Sequence, residues 1–347
     1  MSVDAIYQSP LGPIEIGPME PDRDRSSILE LFAATFDREK SAAEWDWQFV
    51  KNPVGSFYEV GRNEAGRVVS QFAVVPTRVQ IADRDFVFGQ VVDSMVHPDY
   101  RVGLKHRGLF ATTTDGLVDR CGHRDGLLIM VGLPNPPAFR IGRRMNQYHP
   151  MGKVYFHSKT IIAKPQVPTI PESLKVRGES FRIEAVSRFS PDLDGLWQRL
   201  RKGHRTIAHR DAQLMNWRYA EAVGSDYHIL EVRDAHDGLL LGFAVGVIGY
   251  LNRPDGIIAD WFVDPARPFA AEALLKVIEE TMANTSMTRV QCFLNFAAEE
   301  SRFFEDRGYE LAPTHYRMVS RSYDSDIVTP NALGREWYYT LGDFDVV

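Results

Sequence analysis

The strongest constraint on this chain is an ordered set of internal echoes. Trp47-Gln48-Phe49 is answered by Trp217-Arg218-Tyr219, at an offset of 170. Gly55-Ser56 with Tyr58 is answered by Gly224-Ser225 with Tyr227, at 169. Asp93-Ser94-Met95-Val96-His97-Pro98 is answered by Asp260-Trp261-Phe262-Val263-Asp264-Pro265, at 167. Leu133-Pro134-Asn135 is answered by Leu294-Asn295, at 161 and then 160. Four echoes in the same order, drifting by a few residues per step, point to a duplicated unit. A chain of 347 residues has room for two such units.

Hydrophobic spacing gives each half a similar run of elements. The first half reads as a strand at 14–16, a helix at 23–36 with Ile28, Leu29, Leu31 and Phe32 on one face, and a short helix carrying Trp45, Trp47, Phe49 and Val50. Strands follow at 57–60, 68–75, 77–81 and 86–96, then a helix at 105–120, a strand at 127–131, a helix at 134–145 and a strand at 154–162. Pro165, Pro168 and Pro171 fall in a stretch with little periodicity, so 164–178 reads as a linker between domains at 1–163 and 179–347. The second half reads as a strand at 181–186, helices at 193–200 and 211–223, and strands at 227–232, 239–248 and 256–263. A helix at 269–282, a strand at 290–294 and a helix at 297–307 complete it.

Composition narrows the function. Forty Lys and Arg against 46 Asp and Glu give a net charge of −6, which argues against a dedicated DNA binder. Two cysteines, Cys121 and Cys292, exclude a disulfide scaffold and a Cys-rich zinc site, and read as buried thiols of a reducing, cytoplasmic compartment. The N-terminus shows no basic region followed by an apolar run, and the longest uncharged stretch, 238–251, is too short for a membrane span. His149 and His157 lack partners at metal-ligand spacing, so no metal site is expected. His209-Arg210-Asp211 with Asn216 fits the spacing of a kinase catalytic loop, but the Gly-rich loop and strand lysine that a kinase needs are missing, so the match reads as chance.

The order strand, two helices, three or four strands, helix, strand, helix, strand resembles that of GCN5-related N-acetyltransferases (GNAT). The likeness sits on 91–110, a strand ending in Val-x-Pro followed by a Gly-containing helix start, and on 127–145, a strand, an Asn and a helix. The Trp47 to Gly55 region and the tail Trp337-Tyr338-Tyr339-Thr340-Leu341-Gly342-Asp343 add to it. The chain is similar to tandem GNAT proteins, some from bacterial polysaccharide and cell-surface gene neighbourhoods. The resemblance implies an α/β (α+β) architecture of two tandem GNAT-like domains, each with a mixed, mostly antiparallel central sheet flanked by helices.

A helix that starts just after a strand offers free N–H groups and a favourable dipole to phosphate. The resemblance implies that Lys105-His106-Arg107-Gly108-Leu109-Phe110 is this cradle, holding the pyrophosphate of acetyl-CoA or another acyl-CoA. Met95 and Val96 then meet the thioester and pantetheine, and Asn135 contacts the cofactor. The window 101–153 carries nine Lys or Arg against three Asp, which suits an anionic ligand. The matching stretch of the second half, Asp264-Pro265-Ala266-Arg267-Pro268-Phe269, has no glycine, and Pro268 has no N–H to give.

Acyl transfer to an amine needs a base for the amine and a donor for the oxyanion. Asp93 and His97 are the candidate catalytic residues. Asp93 reads equally as a structural acceptor, since Asp260 repeats it, and His97 as a turn residue. The tyrosine that the family often uses as general acid has no match: Phe139 or Arg140 falls at its position, and Tyr148 lies just beyond. The expected activity is N-acyl transfer, of groups other than aminoacyl, to a small-molecule amine or sugar. The alternatives are a non-catalytic GNAT-fold binding protein and an aminoacyl-tRNA-dependent transferase of the Fem type. The duplication leaves a monomer with an internal pseudo-dimer interface and a homodimer both open.

Overall fold

The computed structural model describes residues 5–101, 107–164, 166, 170–171, 173–249 and 253–344. The chain divides into two compact units. The first gathers described parts of Met1–Val79, Asp85–Gly152 and Tyr316–Leu333; the second, those of Gln80–Arg84, Lys153–His315 and Gly334–Val347.

The elements run β1 (Ala5–Ser9), β2 (Gly12–Pro18), α1 (Pro21–Phe36), α2 (Ala42–Trp45), β3 (Phe57–Arg62), β4 (Val68–Ile81), β5 (Arg84–Val96), α3 (Leu109–Cys121), β6 (Leu127–Gly132), α4 (Pro136–Met145) and β7 (His149–Thr160). They continue with β8 (Leu174–Val176), β9 (Glu179–Val186), α5 (Asp192–Leu200), β10 (Thr206–Ala208), α6 (Ala212–Met215), β11 (Tyr227–Asp234), β12 (Leu240–Ile248) and β13 (Asp255–Val263). The last are α7 (Pro268–Asn284), β14 (Arg289–Cys292), α8 (Glu299–Glu305), β15 (Glu310–Ser322), α9 (Pro330–Glu336) and β16 (Trp337–Tyr338).

In the first unit the strand order is β1-β2-β3-β4-β5-β6, closed by the end of β15. In the second it is β7-β14-β13-β12-β11-β9-β8. Along these two strand orders one pair in each is parallel, β5 with β6 and β13 with β14, and off the path the short β10 runs parallel to β16. A crossover helix joins each pair, α3 in one and α7 in the other, as a parallel connection requires. The chain therefore forms two tandem GNAT-like folds of mixed, mostly antiparallel sheet.

The sequence echoes land on equivalent structure. Ser41 caps α2 by accepting from the Glu44 amide, and Asp211 caps α6 by accepting from the Leu214 amide. Each four-residue helix then widens into a π-helical turn, Asp46–Val50 and Asn216–Ala220, which carries the repeated aromatic pair. Gly55 and Gly224 follow with φ of 104° and 84°, a region glycine enters without a Cβ penalty.

Alternation along the strands sorts the first unit's core into two faces. Ile28, Leu31 and Phe32 of α1 pack with Trp45, Phe49, Val68, Ala73, Val92 and Met95. On the other face Leu109 of α3 packs with Ile14, Ile16 and Val69, and Leu117 with Phe72 and Val74. Helices α1 and α3 thus cover opposite faces of one sheet.

Several elements differ from the sequence reading. The two runs at 68–75 and 77–81 form the single strand β4. Its ladder with β3 ends at Phe57↔Val74, so the missing N–H of Pro76 costs nothing on that side. The helix expected at 211–223 is a short α-helix with a π-helical turn, and β15 is a strand where none was read.

Candidate active site

The first unit's parallel ladder is short. Strands β5 and β6 pair from Val87↔Leu127 to Gln90↔Val131, after which β5 runs on to Val96 while β6 ends at Gly132. Asp93, just past the last pair, has φ of 42°. Asp is among the few non-glycine residues that visit this left-handed region at modest cost. The strands part there, and a cavity of about 460 Å³ fills the opening.

Its walls come from both faces of the sheet. Strand β5 contributes Ser94, Met95 and Val96, and α1 contributes Thr35. The turn after β5 contributes Tyr100 and Arg101, and the start of α3 contributes Gly108, Leu109, Phe110 and Ala111. Asn135 and the α4 residues Pro137, Ala138, Ile141 and Met145 close it. The lining is mostly apolar, with a few polar groups to orient a ligand, which is the usual make-up of a small-molecule site.

Gly108 is the N-cap of α3 and, being glycine, gives that helix end no side-chain cap of its own. The Ala111 and Thr112 amides turn back to the Gly108 carbonyl, at 3.0 and 3.2 Å. The amides of Leu109 and Phe110 sit in the first turn, where no helical carbonyl precedes them. The helix dipole adds partial positive charge at this wall.

Of the residues singled out from sequence, Met95, Val96, Gly108, Leu109, Phe110 and Asn135 line this one cavity. Asn135 also caps α4, its Oδ1 accepting from the Ala138 amide at 2.9 Å. Lys105 and His106 lie outside the described residues. Arg107 is held by Asp115, with Nε 3.0 Å from Oδ2, and is not among the lining residues. His97 sits at the strand end next to the lining residue Val96 but is not itself among the lining residues, and its Nδ1 accepts from the Asp99 amide at 3.4 Å.

Asp93 is also outside the lining. Its carboxylate pairs with Lys40, whose ammonium also donates to Gln48 Oε1 at 2.6 Å. The Phe32 and Phe49 rings flank this ammonium at 4.9 and 5.6 Å. The Asp93 carbonyl accepts from Gln71 Nε2 at 2.6 Å, and Gln71 accepts in turn from the Tyr58 hydroxyl at 2.7 Å. Burial pushes the Tyr58 phenol well above its ordinary range, and the Asp93 carboxylate pushes the same way. Sequence reasoning missed Lys40, because a lone lysine in a loop carries no mark of burial. It missed Thr35, Ile141 and Met145 as wall residues because helix spacing alone does not say which face meets a cavity.

The second unit treats the same place differently. Strands β13 and β14 pair only from Asp255↔Arg289 to Ile258↔Cys292. The tail closes the parting: Leu294 bridges to Thr340, Asn295 donates to the Trp337 carbonyl at 2.9 Å, and the Tyr338 hydroxyl donates to the Trp261 carbonyl. Asp260, the echo of Asp93, takes hydrogen bonds from Arg210, Tyr219, Thr340 and the Trp261 amide. Arg210 is fully buried and also reaches Asp343 at 2.9 Å. At the helix start Arg267 is bound to Asp234 and Glu179, with Pro268 behind it. Burial pushes the Cys292 thiol well up, as expected for an inert core thiol.

Among the described residues no three His, Cys, Asp or Glu gather to hold a metal, and no helix is long and apolar enough to cross a membrane.

A mixed sheet opened beyond its parallel pair, with an uncapped glycine helix start at the opening, defines the GNAT fold. Residues 18–145 match the family model of an acetyltransferase (GNAT) domain. The chain as a whole is a tandem GNAT-fold protein. It is similar to a conserved protein of Enterococcus faecalis V583 described as a probable N-acyltransferase, with 11% identity and a TM-score of 0.61, covering 89% of this chain and 73% of that one. It is similar to a GCN5-related N-acetyltransferase from Kribbella flavida, with 14% identity and a TM-score of 0.60, covering 90% and 71%. It is also similar to Saccharomyces cerevisiae N-myristoyltransferase with bound myristoyl-CoA, with 11% identity and a TM-score of 0.54, covering 88% and 78%. No curated protein matches the sequence significantly.

Proposed function

We propose that the protein is an acyl-CoA-dependent N-acyltransferase whose reaction runs in the cavity of the first unit. Acetyl-CoA or another acyl-CoA is the donor, and the acceptor is an amine of a small molecule or sugar. The observation that carries this reading is the cavity itself, which joins the uncapped first turn of α3 to the parted end of β5. In this reading the Leu109 and Phe110 amides take the pyrophosphate, with Arg101 beside them. The apolar wall of Pro137, Ile141 and Met145 excludes water from the pantetheine arm, and the Met95–Val96 backbone meets the thioester carbonyl as charge develops on it.

The amine must lose a proton to attack, and the thiolate must gain one on leaving. His97 is the proposed base, because its Nε2 is the ring nitrogen not engaged by the Asp99 amide. Asp93 is proposed as a positioning residue that acts through the strand end, since Lys40 already holds its carboxylate. With Phe139 and Arg140 where the family often has a tyrosine, the thiolate takes its proton from water. Residues 1–163 form the proposed acyl-donor half, 164–178 a linker and 179–347 a supporting half in which the tail fills the slot. That Cys121 and Cys292 are not joined in a disulfide supports a cytoplasmic setting.

That missing tyrosine favours one rival reading, a protein that holds acyl-CoA without turnover. Release of free thiol from acetyl-CoA, followed across a panel of amines and amino sugars, separates the two. Amine-dependent thiol release supports transfer. Tight acetyl-CoA binding with no release above the solvent rate for any amine favours the binding protein.

A further inference from the structure

Thr35 lies near the end of α1 and lines the cavity. Its hydroxyl is shielded from solvent and has no hydrogen-bond partner among the described residues. Other threonines inside helices of this chain fold the hydroxyl back onto the carbonyl four residues earlier: Thr113 onto Leu109, Thr114 onto Phe110 and Thr281 onto Val277, each at 2.9 Å. That is the ordinary local solution for a helical threonine. The carbonyl of Leu31 stands in the equivalent place for Thr35, yet the bond is not made. A shielded hydroxyl without a partner is unfavourable, because it gave up its bond to water and gained none in return. To meet a ligand in the cavity that Thr35 lines, the hydroxyl must rotate about its Cα–Cβ bond.

Its position selects the part of the ligand it would meet. Leu31, one turn before Thr35 on the same helix face, packs in a cluster with Met95 on the α1 side of the sheet. The start of α3, through Leu109, packs on the opposite side. A carrier whose phosphates sit on the α3 amides and whose arm passes between the parted strands brings its far end, the acyl group, to the α1 side.

We infer that Thr35 is an acyl-recognition residue whose hydroxyl donates to the thioester carbonyl of the bound donor. The inference rests on the acyl-CoA reading above and deepens it, for no described residue occupies this hydroxyl. It makes the site prefer a thioester over the free thiol.

The test is calorimetric titration of the full chain with acetyl-CoA and, separately, with CoA, for wild type, Thr35→Val and Thr35→Ser. Valine keeps the shape and removes the donor; serine keeps the donor. The expected result is about a ten-fold weaker affinity of Thr35→Val for acetyl-CoA, CoA affinity within about two-fold of wild type, and recovery of acetyl-CoA affinity in Thr35→Ser. The melting temperature of Thr35→Val should be equal to or above that of wild type, because an unpaired hydroxyl has gone. Equal loss for both ligands, or no loss for either, overturns the inference while leaving the acyl-CoA reading standing. A wild type that binds neither ligand overturns both.

Discussion

Lys40 and Asp93 form an ion pair beneath the parted strand end of the first unit, with the Lys40 side chain 2% and the Asp93 side chain 11% exposed. The partners are 53 positions apart in sequence. Their pairing ties the loop after α1 to the point where β5 leaves its ladder. A buried ion pair is poor evidence of net stabilisation, but breaking one side of it leaves an uncompensated charge.

Lys40→Met should therefore lower stability by about 3 kcal/mol. Asp93→Asn should cost less, because Asn also tolerates a positive φ and still accepts a hydrogen bond. The double variant should be more stable than the sum of the single losses allows. Urea denaturation of the four proteins checks this, and additive losses would show that the two side chains do not interact.

The network around Arg210 belongs to the second unit's closed slot. Arg210→Met strands Asp260 and Asp343 in a buried setting, and a loss of about 3–5 kcal/mol is expected. Acetyl-CoA affinity should stay within about two-fold of wild type at a temperature where the variant is folded. A large loss of affinity in a folded variant would place ligand binding in the second unit.

His204 supplies a pH dependence. Its ring stacks on Tyr338 at 4.7 Å, and burial, helped by the Arg210 charge, pushes its pKa down to about 4. The unfolded chain takes up this proton near pH 6.5, whereas the folded protein resists it until near 4. The contribution to stability is thus complete above the unfolded pKa and is lost as the pH falls through this window. Glu300, 3.9 Å away, is pushed upward by burial and works in the opposite sense. Comparison with His204→Gln isolates the histidine. Between pH 7.5 and 4 the wild type should lose up to about 3 kcal/mol relative to the variant, and parallel stability curves would show that the ring is not desolvated.

The aromatic echoes were legible because the π-helical turns at Asp46–Val50 and Asn216–Ala220 bury Trp47 and Phe49 in one copy and Trp217 and Tyr219 in the other. The helix start beside Gly108 was legible because a strand, a glycine and a helix leave a local trace. Strand β15 was not: Thr314, Arg317, Ser320 and Arg321 interrupt its apolar alternation. Nor was its division, with Glu310–His315 in one unit and Tyr316–Ser322 in the other, because pairing between distant segments leaves no periodic mark. The chance likeness to a kinase loop concealed Arg210, a buried cation whose three acidic and hydroxyl partners lie 50 to 133 residues away.

Helix α4 owes its placement to a contact that allows no Cβ. A methyl group at Gly142 would lie 2.2 Å from the Tyr148 ring. Gly142→Ala must shift either the ring or the helix that carries Ile141 and Met145 into the cavity. A loss of about 1–3 kcal/mol is expected, together with weaker acetyl-CoA binding, measured by thermal melting with and without ligand. Unchanged ligand stabilisation in this variant would detach α4 from the site.

The central claim is that the start of α3 holds the phosphates of an acyl carrier. Calorimetric titration with acetyl-CoA of wild type, Gly108→Asp and Arg267→Ala tests it most directly. Aspartate is a favourable N-cap, so the first variant keeps its helix while setting a negative charge against the phosphates. The account predicts micromolar-to-millimolar binding by wild type and Arg267→Ala, and none by Gly108→Asp. Undiminished binding by Gly108→Asp, or loss of binding only in Arg267→Ala, would contradict it.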